Sequence, residues 1–272
     1  RRRDFPGLCH HRTMALLRLL TLPFRVVGLL VLLVVAGGLI WTWQELRAAD
    51  GASFSDARAD FKIGASAAGP IDGRRPFAGV WTWEQDGTER PEALGVGITR
   101  KLPGRAPMIV RHTEKGFEME LRLSDGRIES WGLDKASNGW FLADRRSRAG
   151  ALGLRSDRDD RLRPAPMWLP DDRSGKPRWR AAGTRGSAGF LARGAILGRK
   201  VVRIDGEPIA TVILRRRIEM RGAASETMVE TWWWAPSRGM PVRMSLVGTQ
   251  KAGALTFTTD VSLRLADLRP VQ

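Results

Sequence analysis

The sequence predicts a mainly β protein: an antiparallel curved sheet or half-barrel of about ten strands, preceded by one N-terminal transmembrane helix. Three observations carry that expectation. An uncharged, apolar run extends from Val26 to Trp43. Beyond Phe77, short segments of alternating polarity are separated by glycine-bearing turns, and no helical periodicity lasts over a useful length. Near the C-terminal end, "ETWWWAPSRGMPVRM" (residues 230–244) sets three successive tryptophans ahead of a turn, so both faces of one strand carry aromatic surface.

Composition bounds the class. An apolar share of 43% over 272 residues suffices for a real core and excludes a disordered chain. Lys and Arg number 45 against 29 Asp and Glu, a formal +16, which suits nucleic acid or an anionic membrane surface as partner. The arginines are scattered among acids, as in "LRSDRDDRLRP", which is the pattern of a solvated surface. With one cysteine, Cys9, no disulfide can form within the chain, and an extracytoplasmic domain must rest on its core alone.

Taken in order, residues 1–25 read as a basic cytoplasmic N-terminus, within which Met14 is the expected true start. Residues 26–43 read as an uncleaved signal anchor: at about 1.5 Å rise per residue the run just spans a hydrocarbon core. Arg12, Arg18 and Arg25 place its start inside, and Trp41 and Trp43 suit the interfacial belt on the far side. A cleaved signal peptide also fits a basic start. However, the small residues Ala48, Ala49 and Ala52 follow the charged "QELR" and make a poor cleavage site. Residues 44–76, rich in Ala, Gly, Ser and Asp, read as a linker.

The β domain is expected over residues 77–272. "GVWTWEQDG" alternates, with Val80, Thr82 and Glu84 on one face and Trp81 and Trp83 on the other. Hairpins are marked at Lys115-Gly116 and Asp125-Gly126, and "GWFLADRR" continues the sheet. Residues 150–183, with prolines, mixed charges and the isolated Trp168 and Trp179, read as a long crossing loop. Four meandering strands then close the domain, turning at Asp205-Gly206, Ser237-Arg238-Gly239 and Lys251-Ala252-Gly253.

Within "ETWWWAP", Trp232 and Trp234 share one face and Trp233 takes the other. Two uses compete for such aromatics: ordinary core packing, or the wall of a ligand cavity. The candidate ligand-binding residues are Trp81, Trp83, Trp232, Trp234 and Met244 on the wall, with Trp168 and Trp179 at the mouth.

The segment "ETWWWAPSRGMPVRMSLVG" and the strand after it resemble the C-terminal pattern of periplasmic lipoprotein carriers, the LolA/LolB-like proteins. The matching turn is W-x-x-P-x-x-G-x-P-V-R, here Trp233 or Trp234 with Pro236, Gly239, Pro241, Val242 and Arg243. The resemblance covers roughly the last third of the chain and implies an antiparallel half-barrel whose apolar cavity accepts acyl chains. The retained anchor and the inserted loop set this chain apart from the carriers. The segments "FAGVWTWEQDGTERPEALG" and "MIVRHTEKGFEMELR" are similar to membrane-anchored extracytoplasmic proteins of GC-rich bacteria, a likeness that brings no chemistry with it.

Catalytic equipment is thin. His112 is the one histidine beyond the anchor, and neither a G-x-S-x-G elbow nor metal-ligand spacing occurs. The pairs Asp159-Asp160 and Asp171-Asp172 sit beside arginines that would neutralise them, and "GVGITRKLPGR" lacks the following helix that phosphate cradling needs. The expectation is therefore a non-enzymatic binding protein without cofactor or metal, holding a lipid, an acyl chain or a lipoprotein. The alternative is a structural or accessory subunit of a membrane protein complex. The expected location is the bacterial cytoplasmic membrane, crossed once, with the C-terminal domain in the periplasm or outside the cell. Nucleic acid is excluded by that compartment. Beyond residue 43, 39 basic against 28 acidic residues leave +11 facing lipid headgroups or an acidic protein.

Overall fold

The computed structural model describes residues 32, 33, 37, 51–64, 76–93, 95–151, 154–170, 178–185, 188–222 and 224–271. The chain divides into two units, Arg1–Arg47 and Ala48–Gln272. In the first, Leu32, Leu33 and Gly37 are helical; the rest of the expected anchor lies outside the described residues. Among the described residues no helix is long and apolar enough to cross a membrane.

The second unit opens with helix α1 (Phe54–Gly64), inside the stretch expected as linker. Ser53 caps it: its hydroxyl accepts the Asp56 amide at 3.2 Å. Phe54, Ala57 and Phe61 recur at helical spacing and pack on Val80 and Ile109. Asp60 ties the helix to Arg122.

Among the described residues the remaining elements are strands: β1 (Gly79–Ala93), β2 (Val96–Gly97), β3 (Arg100–Lys101), β4 (Arg105–His112), β5 (Gly116–Ser124), β6 (Arg127–Ala136) and β7 (Gly139–Ala151). There follow β8 (Leu154–Arg163), β9 (Met167–Pro170), β10 (Arg178–Arg185), β11 (Ala188–Ile204) and β12 (Glu207–Arg221). The last three are β13 (Ala224–Ala235), β14 (Met240–Ala252) and β15 (Leu255–Leu265). They form one antiparallel sheet in nearly sequential order, β15-β14-β13-β12-β11-β10-β8-β7-β6-β5-β4-β1-β2. The hairpin turns explain the meander. At the β11–β12 turn both Asp205 (φ 47°) and Gly206 (φ 77°) adopt left-handed backbone, the geometry whose twist suits a two-residue hairpin.

The expected curved antiparallel sheet is present, and it curls until its ends meet. One length of β1, Gly79 to Glu84, pairs with β4; an overlapping length, Trp83 to Ala93, pairs with β15. The strand number corrects the expectation of about ten: among the described residues the sheet has fifteen, two of only two residues. Much of the surplus comes from the stretch expected as a crossing loop, which supplies β8, β9 and β10. Its strands lack apolar alternation. Instead the register sets basic positions opposite acidic ones, Arg145 across from Asp160, Arg146 from Asp159 and Arg148 from Asp157. Pro164 and Pro166, with no amide hydrogen to give the ladder, separate β8 from β9.

The ring has one thin seam. β10 pairs with β8 at two positions only, Thr184 with Arg163 and Arg185 with Leu162, whereas β11 and β12 pair along fifteen.

Candidate functional site

Inward-facing side chains fill the sheet in two contrasting parts, and β13 contributes to both. Its alternate residues Glu226, Met228, Glu230, Trp232 and Trp234 all point inward and are at most 3% exposed. Trp233 takes the other face, where the Arg243 guanidinium lies 4.8 Å from its ring.

In the aromatic part, the Trp232 ring meets Trp168 at 4.7 Å and Trp131 at 5.1 Å, both edge to face. Phe117 bridges Trp140 (4.9 Å) and Trp234 (6.3 Å). Six of the seven predicted ligand-binding residues lie in this core: Trp81, Trp83, Trp168, Trp232, Trp234 and Met244 are each no more than 2% exposed. They pack on other side chains and line none of the grooves described below.

The ionic part has no counterpart in the sequence reading. Arg127, Arg145 and Arg216 are buried with Glu129, Glu226 and Glu230. Arg127 pairs with Glu129 at 2.5 Å, and Arg145 reaches Glu129 at 3.4 Å and Glu230 at 3.6 Å. Arg145 also donates to Glu226, and Arg216 to Glu230. Ser147 donates to Glu129 at 3.1 Å, Arg127 to Gln250 at 2.8 Å, and the Trp232 indole to Glu230 at 3.1 Å. The guanidinium of Arg216 stacks 3.6 Å over Trp168, joining the two parts. Burial lowers Arg216 to about 10 against the pull of Glu230. Burial would also lower Arg145, but Glu226, Glu129 and Glu230 together outweigh it and raise the group. Glu129 is raised by burial, which Arg127 and Arg145 only partly offset.

Trp179 packs on the edge of the core and is not enclosed in it. It is half-buried beside the thin seam, and its indole donates to the Met167 carbonyl at 2.8 Å, linking β10 to β9. Its ring lies against Gly194, where an added Cβ would come within 2.1 Å of ring carbon, so a side chain at 194 would displace the indole. Together with Ala195 and Val229 these two residues line an open groove of about 620 Å3 over β10–β13. Its other lining residues are five exposed arginines: Arg178, Arg180, Arg193, Arg215 and Arg217.

A more enclosed pocket of about 410 Å3 over β5–β7 brings Glu118, Asp134 and Asp144 near Lys115 and Arg146. Burial raises Glu118, against Arg146 at 3.6 Å. Among the described residues no three His, Cys, Asp or Glu side chains are grouped to hold a metal ion.

The groove therefore collects one residue that the sequence singled out and eight that it did not, five of them arginines. The motifs "RWR" at 178–180 and "RRR" at 215–217 were visible. What the sequence lacks is the pairing of β10 with β11 that makes them neighbours.

No family model and no curated protein matches the chain. Among solved structures, the hypothetical lipoprotein YmcC from Escherichia coli K12 is similar over 80% of this chain and 93% of its own, at 11% identity and a TM-score of 0.31. A likeness that slight supports no functional assignment, and the LolA/LolB-like resemblance gains nothing from it. The curved sheet rests on its own strand pairings.

Proposed function

We propose that the protein is a single-pass, membrane-anchored extracytoplasmic binding protein without enzymatic activity, and that it holds the acyl chain of a lipid or lipoprotein. The outer groove over β10–β13, not the interior, is the seat of that ligand. The observation that carries this reading is a groove of about 620 Å3 with apolar floor residues Trp179, Ala195 and Val229. Its size is that of ordinary small-ligand sites, roughly 300–1,000 Å3. The interior, by contrast, is occupied by its own tryptophans.

The second reading is an accessory subunit docking on a membrane protein complex. It is favoured by Leu197, Val201 and Val247, large apolar residues at 43–59% exposure on β11 and β14. Native mass spectrometry with lipid extraction separates the two, using the whole chain purified in an uncharged detergent. Acyl-bearing mass retained by the wild type and lost in Trp179→Ala, with far-ultraviolet circular dichroism and the unfolding midpoint unchanged, is the expected result. A clean apo mass with no uptake of added lipid would overturn acyl binding and leave the accessory-subunit reading.

A further inference from the structure

We propose that the groove recognises the phosphate of an anionic phospholipid headgroup through Arg180, Arg193 and Arg217, with the acyl chain running along Val229 and Val247. The inference rests on the acyl-binding reading and adds the headgroup chemistry to it.

The strand register provides the geometry. Arg180 on β10 lies directly opposite Arg193 on β11, and Arg193 directly opposite Arg217 on β12. All three are exposed on the outer face. Directly opposed side chains in an antiparallel pair have Cβ atoms about 4.5–5.5 Å apart, and like charges so placed destabilise the sheet. Something negative lying across the row would relieve that cost. Among the described residues, carboxylates supply little of it. Arg217 pairs with Glu219 at 2.8 Å, but Arg178, Arg180, Arg193 and Arg215 have no ion-pair partner among the described residues. Elsewhere on the surface some arginines are matched, Arg264 by Glu84 and Arg238 by Glu207.

A phosphate fits what remains. Guanidinium groups offer planar, paired N–H donors that engage two phosphate oxygens at once, and neighbouring guanidiniums can share one phosphate. The same row then distinguishes an amphiphile from a free anion. The residue opposite Arg217 on β13 is Val229, and the residue opposite Val229 on β14 is Val247. Along one line across the sheet, three cations give way to two valines, the second 43% exposed. That order matches a charged head joined to an apolar tail.

The test uses the whole chain in an uncharged detergent and isothermal titration calorimetry. Three probes are titrated: short-chain phosphatidylglycerol, diacylglycerol of the same chain length, which lacks the phosphate, and inorganic phosphate. The expected result is phosphatidylglycerol binding at least about tenfold tighter than diacylglycerol, the advantage shrinking with added salt. In Arg180→Gln/Arg193→Gln/Arg217→Gln the advantage disappears while diacylglycerol binding stays. The matching triple lysine variant keeps part of it, because charge survives and the planar fork does not. Equal affinity for the two lipids overturns the headgroup assignment and leaves acyl binding standing. Inorganic phosphate binding as tightly as phosphatidylglycerol overturns the lipid source, and failure of both lipids overturns both readings.

Discussion

The tripeptide Arg215-Arg216-Arg217 sends its middle residue into the interior and its neighbours to the surface, so identical side chains a few ångströms apart live in opposite environments. Inside, Arg216 is 1% exposed, bound to Glu230 and stacked on Trp168. Outside, Arg217 stands in a row of like charges with a single acid beside it. The interior arginines are matched by carboxylates because a buried unpaired charge costs several kcal/mol. The exterior ones can stay unmatched because water screens them. Buried charge here serves the fold, and the unmatched exposed charge is what remains available for a ligand.

Removing one interior partner is the severest way to break that contrast. Glu230→Ala strands Arg216 and weakens Arg145, and we expect a loss of about 3–5 kcal/mol in denaturant-induced unfolding. A loss below 1 kcal/mol would show that the interior ions are not strongly coupled. Replacing both partners sharpens the point. Arg216→Met/Glu230→Met removes the charges at similar volume and should recover about 3–5 kcal/mol relative to Glu230→Ala, read from the same curves. At the surface the sign reverses. Arg193→Gln relieves repulsion from both neighbours and should stabilise the protein by about 0.2–1 kcal/mol, most visibly at low salt in a thermal melt.

The smallest expected effect concerns pH. Glu118 is raised by burial beyond what Arg146 and Arg111 lower it. A carboxylate raised in the folded state binds its proton more tightly there than in the unfolded chain. Its unfavourable contribution is thus absent below the unfolded value of 4.5 and grows as pH climbs through the folded one. Glu118→Gln should accordingly be slightly more stable than wild type at neutral pH, the difference closing as pH falls to 4.5 and below. Denaturation curves at several pH values would show it, and a gap that widened in acid would contradict it.

Local chemistry made part of this architecture legible. The turns at Asp125-Gly126, Asp205-Gly206 and Gly253 fall where glycine spacing put them, and the split of Trp232 and Trp234 from Trp233 follows from strand alternation alone. β8 to β10 escaped because the signal for a strand was apolar alternation, and "LRSDRDDRLR" carries charge on both faces. The interior ions escaped for a related reason: Glu226 and Glu230 sit at inward positions in the same period as Trp232, yet a charged residue reads as solvated until its partner on another strand is known. The arginine row is non-local throughout, since Arg180, Arg193 and Arg217 meet only through the register of three strands.

The double engagement of β1 also dictates an order of events during folding. The edge that receives β4 can be covered as soon as residues 105–112 exist, and β2 and β3 cover part of the same side early. The opposite edge, from Trp83 to Ala93, waits for residues 255–265, among the last in the chain. Such a long-range pairing is slow to find and leaves open strand edge exposed meanwhile. A chain delivered across a membrane from its N-terminal side would carry that open edge until residues 255–265 arrived. Premature termination ahead of β15 would therefore leave β1 and β14 with open edges, a shape prone to associate with itself.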